Sequence, residues 1–327
     1  MIVFSTFSSK ILLISALLFG ASCSKDEDCI SNPEEEVPVD SVPTYTYFDT
    51  LIGDFVTVPL FLPCNGHATL CAKRVNEIFF AMTHNSHADN GNFSALAANQ
   101  NGNIAAQLNV GIRGLNIKPY WEANGSFGDG SLGLYLYHGN PILGCEPLED
   151  FLNTVRDFLL TNSRECIVMT IEGSASAARL DSTFDVTGLS NLMYDHNGGE
   201  WPFLHQLITS NKRLIVLSDR SDAEDYPCQH EMWEHAVDVN YDNQNTSQFD
   251  CTFDRGNPNG AFFLLNHFLT NLTPQASSAP QTNAYNLLYN RALECWEANN
   301  KRPNFVMVDF YASGDVVRAV DSLNLLH

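Results

Sequence analysis

Short, near-continuous apolar runs alternate along this chain with segments of helical periodicity, and that alternation most limits the folds open to it. Residues 75–83 (VNEIFFAMT), 111–121 (GIRGLNIKPYW), 132–139 (LGLYLYHG), 166–173 (CIVMTIEG), 213–219 (RLIVLSD), 261–269 (AFFLLNHFL) and 305–310 (FVMVDF) read as strands. CIVMTIEG has the unbroken apolar character of a strand buried on both faces. Between these runs, 146–162 (EPLEDFLNTVRDFLLTN), 201–212 (WPFLHQLITSNK) and 283–300 (NAYNLLYNRALECWEANN) read as helices. Strands alternating with helices make parallel βαβ units. The expectation is an α/β fold: a TIM-type (β/α)8 barrel, either closed or distorted and incompletely closed. An open doubly wound sheet would suit the same pattern, but neither GxGxxG nor a Walker sequence stands where a nucleotide phosphate would be cradled.

Polar residues recur at or just after the ends of these runs: His84, Lys118, His138, Glu172, Asp219, His267 and Asp309. Barrel enzymes gather ligand groups at the C-terminal ends of their strands. His84, in MTHNSHA, and His138, in YLYHG, could act as general base and general acid around a phosphate ester. Each alone reads as well as an ordinary loop histidine; the combination with Lys118 and two strand-end carboxylates is what points to a site. Asn116 and Lys118 stand two residues apart and so face one side of a strand. Asp309 could accept the second N–H of an imidazole or serve as a cap. Asn85, Asn116 and Glu172 offer oxygen donors for a hard cation such as Ca2+, although Lys118 would place a positive charge beside it. GxSxG is absent, so a serine nucleophile is disfavoured.

The N-terminus reads as an address. Lys10 precedes the apolar run ILLISALLFGA, which is too short for an ordinary spanning helix, and GASC follows at residues 20–23. The expectation is a lipoprotein signal peptide over 1–22 and a lipidated Cys23, with ordinary secretion as the alternative. Residues 24–41 are acidic, contain proline and nearly lack large apolar side chains, so they read as a tether. The domain boundaries expected are 1–22, 23–50 for the lipidated cysteine and tether, and 51–327 for one catalytic barrel. SKDED after Cys23 resembles the acidic segment that sends some lipoproteins of Gram-negative bacteria to the outer surface. That implies an exported bacterial lipoprotein of the outer membrane and cell surface, anchored through its N-terminal lipid.

A net charge of −21 argues against a nucleic-acid partner and against adsorption to an anionic bilayer by bulk electrostatics. Any phosphate site is then a local exception. Export makes disulfides plausible among the nine cysteines. Cys64 and Cys71, in CNGHATLC, are the best candidate pair, and Cys228 with Cys251 comes next. Without CxxC or a compact Cys/His cluster in the sequence, structural zinc is not expected. Oligomeric state is not visible.

CNGHATLCAKRVNEIFFAMTHNSHA, QLNVGIRGLNIK, LYLYHG, FLNTVRDFLLTNSRECIVMTIEG, KRLIVLSDR and PNFVMVDFYASGDVVRAVDSLN follow one another in an order that resembles the phosphatidylinositol-specific phospholipase C X-domain family, of the PLC-like phosphodiesterase superfamily, over residues 62–324. The resemblance implies that His84 removes the inositol 2-hydroxyl proton, that His138 protonates the diacylglycerol oxygen and that Asp309 orients His84. Lys118 stands where metal-free bacterial members carry arginine and calcium-dependent ones an aspartate, which implies a cation that stabilises phosphorane charge. Asn85, Arg113, Asn116 and Glu172 are implied as substrate-binding residues. Asn116 departs from an acidic family position, and Asn85 with Glu172 resembles the calcium-dependent pattern. The implied enzyme is a phosphoric diester hydrolase or lyase that needs no cofactor, with Ca2+ as the alternative. Its implied partner is an inositol phospholipid or a GPI-like phosphodiester. Two other readings stay open: a surface module that binds phospholipid headgroups or glycans with reduced catalysis, and a calcium-dependent phosphodiesterase on another substrate.

Overall fold

The computed structural model describes residues 44–49, 53–59, 62–122 and 133–326. The signal segment, Cys23 and the tether up to residue 43 lie outside them. Within the segment 23–50, Thr44–Asp49 forms strand β1, which pairs antiparallel with β2 (Asp54–Pro59).

The strands that follow are β3 (Phe80–Thr83), β4 (Gly114–Ile117), β5 (Pro119–Glu122), β6 (Gly133–Tyr137), β7 (Cys145–Pro147), β8 (Ile167–Ile171), β9 (Leu214–Ser218), β10 (Gln229–Glu231), β11 (Ala236–Val239), β12 (Phe253–Gly256), β13 (Phe262–Asn266) and β14 (Phe305–Val308). Nine of them make one sheet in the order β10-β9-β8-β4-β3-β14-β13-β11-β12. Its neighbours are parallel except for β11 with β12. Among the described residues β10 and β12 do not pair, so the sheet is curled but open, an incompletely closed barrel rather than a sealed one. The run LGLYLYHG, expected as a barrel strand, instead forms β6 at the centre of a separate antiparallel sheet, β5-β6-β7, inserted between β4 and β8.

Because side chains alternate along a strand, the sheet divides two cores. Ala81, Leu115, Met169, Val216, Leu265 and Val306 pack with helix residues on one face. Phe80, Met82, Val168, Leu217, Leu264 and Met307 fill the curl on the other. Helix Leu148–Thr161 turns Leu148, Phe151, Leu152, Val155 and Leu159 inward, the three-to-four spacing read in the sequence. Each such side chain fully removed from water contributes about 1.5–3 kcal/mol. Inside the curl, a Cβ at Gly114 would come within 2.6 Å of the Met82 Cβ, so only glycine lets β4 approach β3 so closely here.

Cys64 and Cys71 are bonded, as their spacing suggested. Cys251 is bonded to Cys295, not to Cys228, which is a free thiol. The Cys251 and Cys295 Cα atoms lie 4.9 Å apart, within disulfide reach. Nearness in sequence therefore misdirects this pairing.

Candidate active site

The filled interior of the curl becomes polar two residues further along its strands. Met82 gives way to His84, Thr170 to Glu172, Leu217 to Asp219, Leu264 to Asn266 and Met307 to Asp309. Alternation keeps these residues on the interior face, at the C-terminal rim. The same rule carries Asn116 to Lys118.

Asp309 Oδ1 accepts a hydrogen bond from His84 Nδ1 at 3.0 Å. Both Asp309 oxygens also accept from Asn99 Nδ2, at 3.0 and 3.1 Å. Asn99 Oδ1 accepts in turn from Asn85 Nδ2 at 3.1 Å. Asn85 is left-handed, with φ of 44°, and its backbone N–H donates to Asn116 Oδ1. One buried amide chain therefore ties the His84 loop to β4 and to Asp309. The Phe268 ring stacks on His84, with centroids 4.1 Å apart and planes 9° from parallel.

His138 follows β6, so the side sheet and not the barrel delivers it. Its ring centroid lies 6.4 Å from that of His84, and its Nδ1 donates to the Ala97 carbonyl oxygen at 2.8 Å. With each Nδ1 held by an acceptor, each Nε2 is left for a ligand. The two rings line one cavity of about 240 Å³, together with Asn99, Asp309, Phe268 and a lip that includes Leu96, Leu143, Leu269 and Leu272.

Glu172 Oε2 accepts from Asn116 Nδ2 at 3.0 Å and lies 3.7 Å from Lys118 Nζ. Its other oxygen, Oε1, is 3.6 Å from Arg255 Nη1. Arg255, which sequence reasoning missed, also grips the buried Asp238 through Nη2 and Nε, at 2.6 and 3.1 Å. Asn99 and Phe268 were missed as well, because an amide in a polar loop and an apolar residue after a strand carry no chemical signature. Arg113 is not in the cavity. It precedes β4, where its guanidinium pairs with Glu165 at 2.7 Å and donates to the carbonyls of Leu108 and Ile112. His267 is likewise structural: it is buried, with Nε2 2.7 Å from the Thr282 carbonyl oxygen.

Burial pushes His84 well below its usual pKa, and the charges of Lys118 and His138 push the same way while Glu172 opposes them. Burial lifts the Asp309 carboxyl up to about 7, against the Asn99 hydrogen bond and the charges of His138 and Lys118. Glu172 moves the other way. Burial would raise it, but Lys118, the Asn116 hydrogen bond, Arg255 and His84 together hold it below the usual carboxylate value. The rim thus offers a neutral imidazole with its outer nitrogen bare, a second imidazole across a small cavity, and two cations balanced on one carboxylate.

The PI-PLC X family model matches residues 70–324. PI-PLC X domain-containing protein 1 of Arthroderma benhamiae is 27% identical over 80% of this chain and 90% of its own length. A PI-PLC X domain-containing protein of Arabidopsis thaliana is 24% identical over 93% of this chain and 72% of its own. Phosphatidylinositol-specific phospholipase C of Staphylococcus aureus superposes with a TM-score of 0.52 at 15% identity, over 77% of this chain and 94% of that one, a likeness of fold.

Proposed function

Since the chain belongs to the PI-PLC X family, we propose that it cleaves phosphatidylinositol or a related inositol phospholipid to a diacylglycerol and inositol 1,2-cyclic phosphate. The observation that carries this reading is the pairing of His84 and His138 across one cavity, each with Nδ1 fixed by an acceptor. An inositol phosphodiester supplies the rest, because its own 2-hydroxyl lies beside the phosphorus.

In this mechanism the 2-hydroxyl attacks phosphorus in line while His84 Nε2 takes its proton. Asp309 holds the Nδ1–H and stabilises the imidazolium that forms. Protonated His138 gives its Nε2 proton to the departing diacylglycerol oxygen. Lys118 offsets negative charge on the phosphoryl oxygens. Water then opens the cyclic product slowly, with the two histidine roles reversed.

The choice of Lys118 over Ca2+ rests on charge. Asn85 Oδ1 is buried without a hydrogen-bond partner and would suit a cation. Glu172, however, already faces Lys118 and Arg255, and a divalent ion beside it would meet both. The donor set therefore fits calcium poorly. The lip favours a lipid substrate: Leu96 is 58% exposed and Leu272 fully so.

The test is to incubate the purified protein with phosphatidylinositol micelles and follow the phosphorus products by NMR, with calcium present or chelated. A cyclic inositol phosphate insensitive to chelation, and absent from folded His84→Ala and His138→Ala proteins, is expected. Product only with calcium would restore the metal-dependent reading. No product in either condition would favour another phosphodiester or a headgroup-binding role. Unchanged turnover in His84→Ala would remove the proposed base.

A further inference from the structure

Far along the chain from either catalytic histidine, the turn around β10 collects two imidazoles and a carboxylate from within residues 224–235. Glu224, His230 and His235 each bring one ligand atom within 4.8 Å of the other two. We propose that Glu224, His230 and His235 form a Zn2+ site separate from the catalytic rim. The absence of a compact Cys/His motif argued against structural zinc, but the β10 turn assembles this cluster in space.

One of the three ligand pairs already has the spacing that zinc needs. In a tetrahedral site with bonds of about 2.0 Å, neighbouring ligand atoms sit about 3.3 Å apart. His235 Nε2 and Glu224 Oε1 are already 3.3 Å apart. His230 is buried, and its Nε2 lies 3.2 Å from the Tyr194 carbonyl oxygen and 3.4 Å from the His196 backbone N–H. The shorter contact favours the tautomer with hydrogen on Nε2, the backbone-anchored form typical of metal-bound histidine. Nδ1 of the same ring is buried without a hydrogen-bond partner, a lone pair that otherwise goes unused. Two imidazoles and one carboxylate suit zinc, whereas calcium takes oxygen donors.

The location separates this cluster from the catalytic cavity. His235 opens onto a cavity of about 480 Å³ that it shares with His196, Trp201, Arg74 and Gly260. Arg74 lies ahead of β3, and Gly260 ahead of β13, so this cavity sits at the N-terminal ends of those strands. His84 and Asp309 stand at C-terminal ends. Zinc here would clamp the edge strand β10 to the turn before it and to the helix after it.

The test uses the full chain, stripped with chelator and titrated with Co2+ and then Zn2+. One equivalent of Co2+ is expected to give the visible d–d bands of a four-coordinate site, displaced by Zn2+, and Zn2+ is expected to raise Tm. Both effects should persist in His84→Ala, which removes a catalytic imidazole. Glu224→Gln and His235→Asn, at an exposed and a half-buried position, should each weaken Co2+ binding at least ~10-fold, a loss that even outer partners of metal ligands cause. Phosphodiesterase turnover of these two variants reads out the catalytic cavity independently. No d–d bands in the wild type, or bands that survive in Glu224→Gln and His235→Asn, would overturn the proposal.

Discussion

Asp309 sets the acid limb of any reaction run by His84. Its folded pKa of about 7 lies above the ordinary 3.8, so it takes up a proton as pH falls through 7 and loses the negative charge that supports a forming imidazolium. His84, pushed well below 6.5, stays deprotonated over that range and does not itself set the limb. The expected outcome is a kcat/KM on a soluble inositol phosphodiester whose acid limb has its midpoint near pH 7. Asp309→Asn should flatten that limb and lower kcat by ~10²–10⁴-fold, the range for a general base that has lost its support. A limb unchanged in the variant would assign it to another group. Lys118 permits a sharper comparison. Lys118→Met removes a cation from the phosphoryl oxygens, for which a loss of ~10²–10³-fold in kcat is expected, the worth of one charge-stabilising donor. Lys118→Arg should recover much of it, since the charge survives while its shape changes. These residues were legible because each ends an apolar run. Asn99 was not, since its role depends on Asp309 and Asn85, which approach it only in the fold.

In the large sheet β10, β11 and β12 are short and mixed in polarity and gave no strand signal, while β3, β4, β8, β9, β13 and β14 were readable because a short apolar run buried on both faces has few other homes. The side sheet was not. β6 is as apolar as its barrel counterparts, and nothing local distinguishes a strand that pairs with β5 and β7 from one that joins β4. The aromatic residues of the side sheet do not line the mouth of the cavity. Tyr135 is buried, Tyr137 stacks on Tyr120 at 4.0 Å, and the Arg179 guanidinium lies 3.4 Å over Trp121. Leucines fill that role instead. The segment after β13 carries Leu272 outward at the cavity mouth, where a lipid surface would cover it. Leu272→Asp is expected to raise the apparent KM on phosphatidylinositol vesicles by ~10-fold or more, since burying such a side chain contributes about 1.5–3 kcal/mol. Turnover of a soluble inositol phosphodiester should not change. Equal losses on both substrates would place Leu272 in packing and not at an interface.

The curvature of the whole sheet is visible in one side chain. β12 ends the strand order and β8 stands third from the other end, yet Arg255 on the first lies 3.6 Å from Glu172 just past the second. A flat sheet of this order would hold them several strand spacings apart, each of about 4.8 Å. The curl therefore brings its ends toward each other, and a charged contact spans what backbone pairing leaves open. No local pattern foretells this, because FDRG reads as an ordinary exposed turn until β12 is set against β11. The same guanidinium pairs with Asp238, whose carboxylate is fully buried and whose pKa burial raises against the pull of Arg255. Removing it strands that carboxylate. Arg255→Met is expected to destabilise the fold by about 3 kcal/mol, the low end of the range for breaking a buried pair, because Asn266 still donates to Asp238 at 3.1 Å. The loss should shrink in acid, where Asp238 takes a proton and its charge disappears. Urea unfolding of the variant and wild type at pH 7 and at pH 5 checks both parts. A deficit that persists undiminished at pH 5 would trace the damage to lost packing against Trp233 and Tyr241, over which Arg255 also lies, and not to the stranded charge.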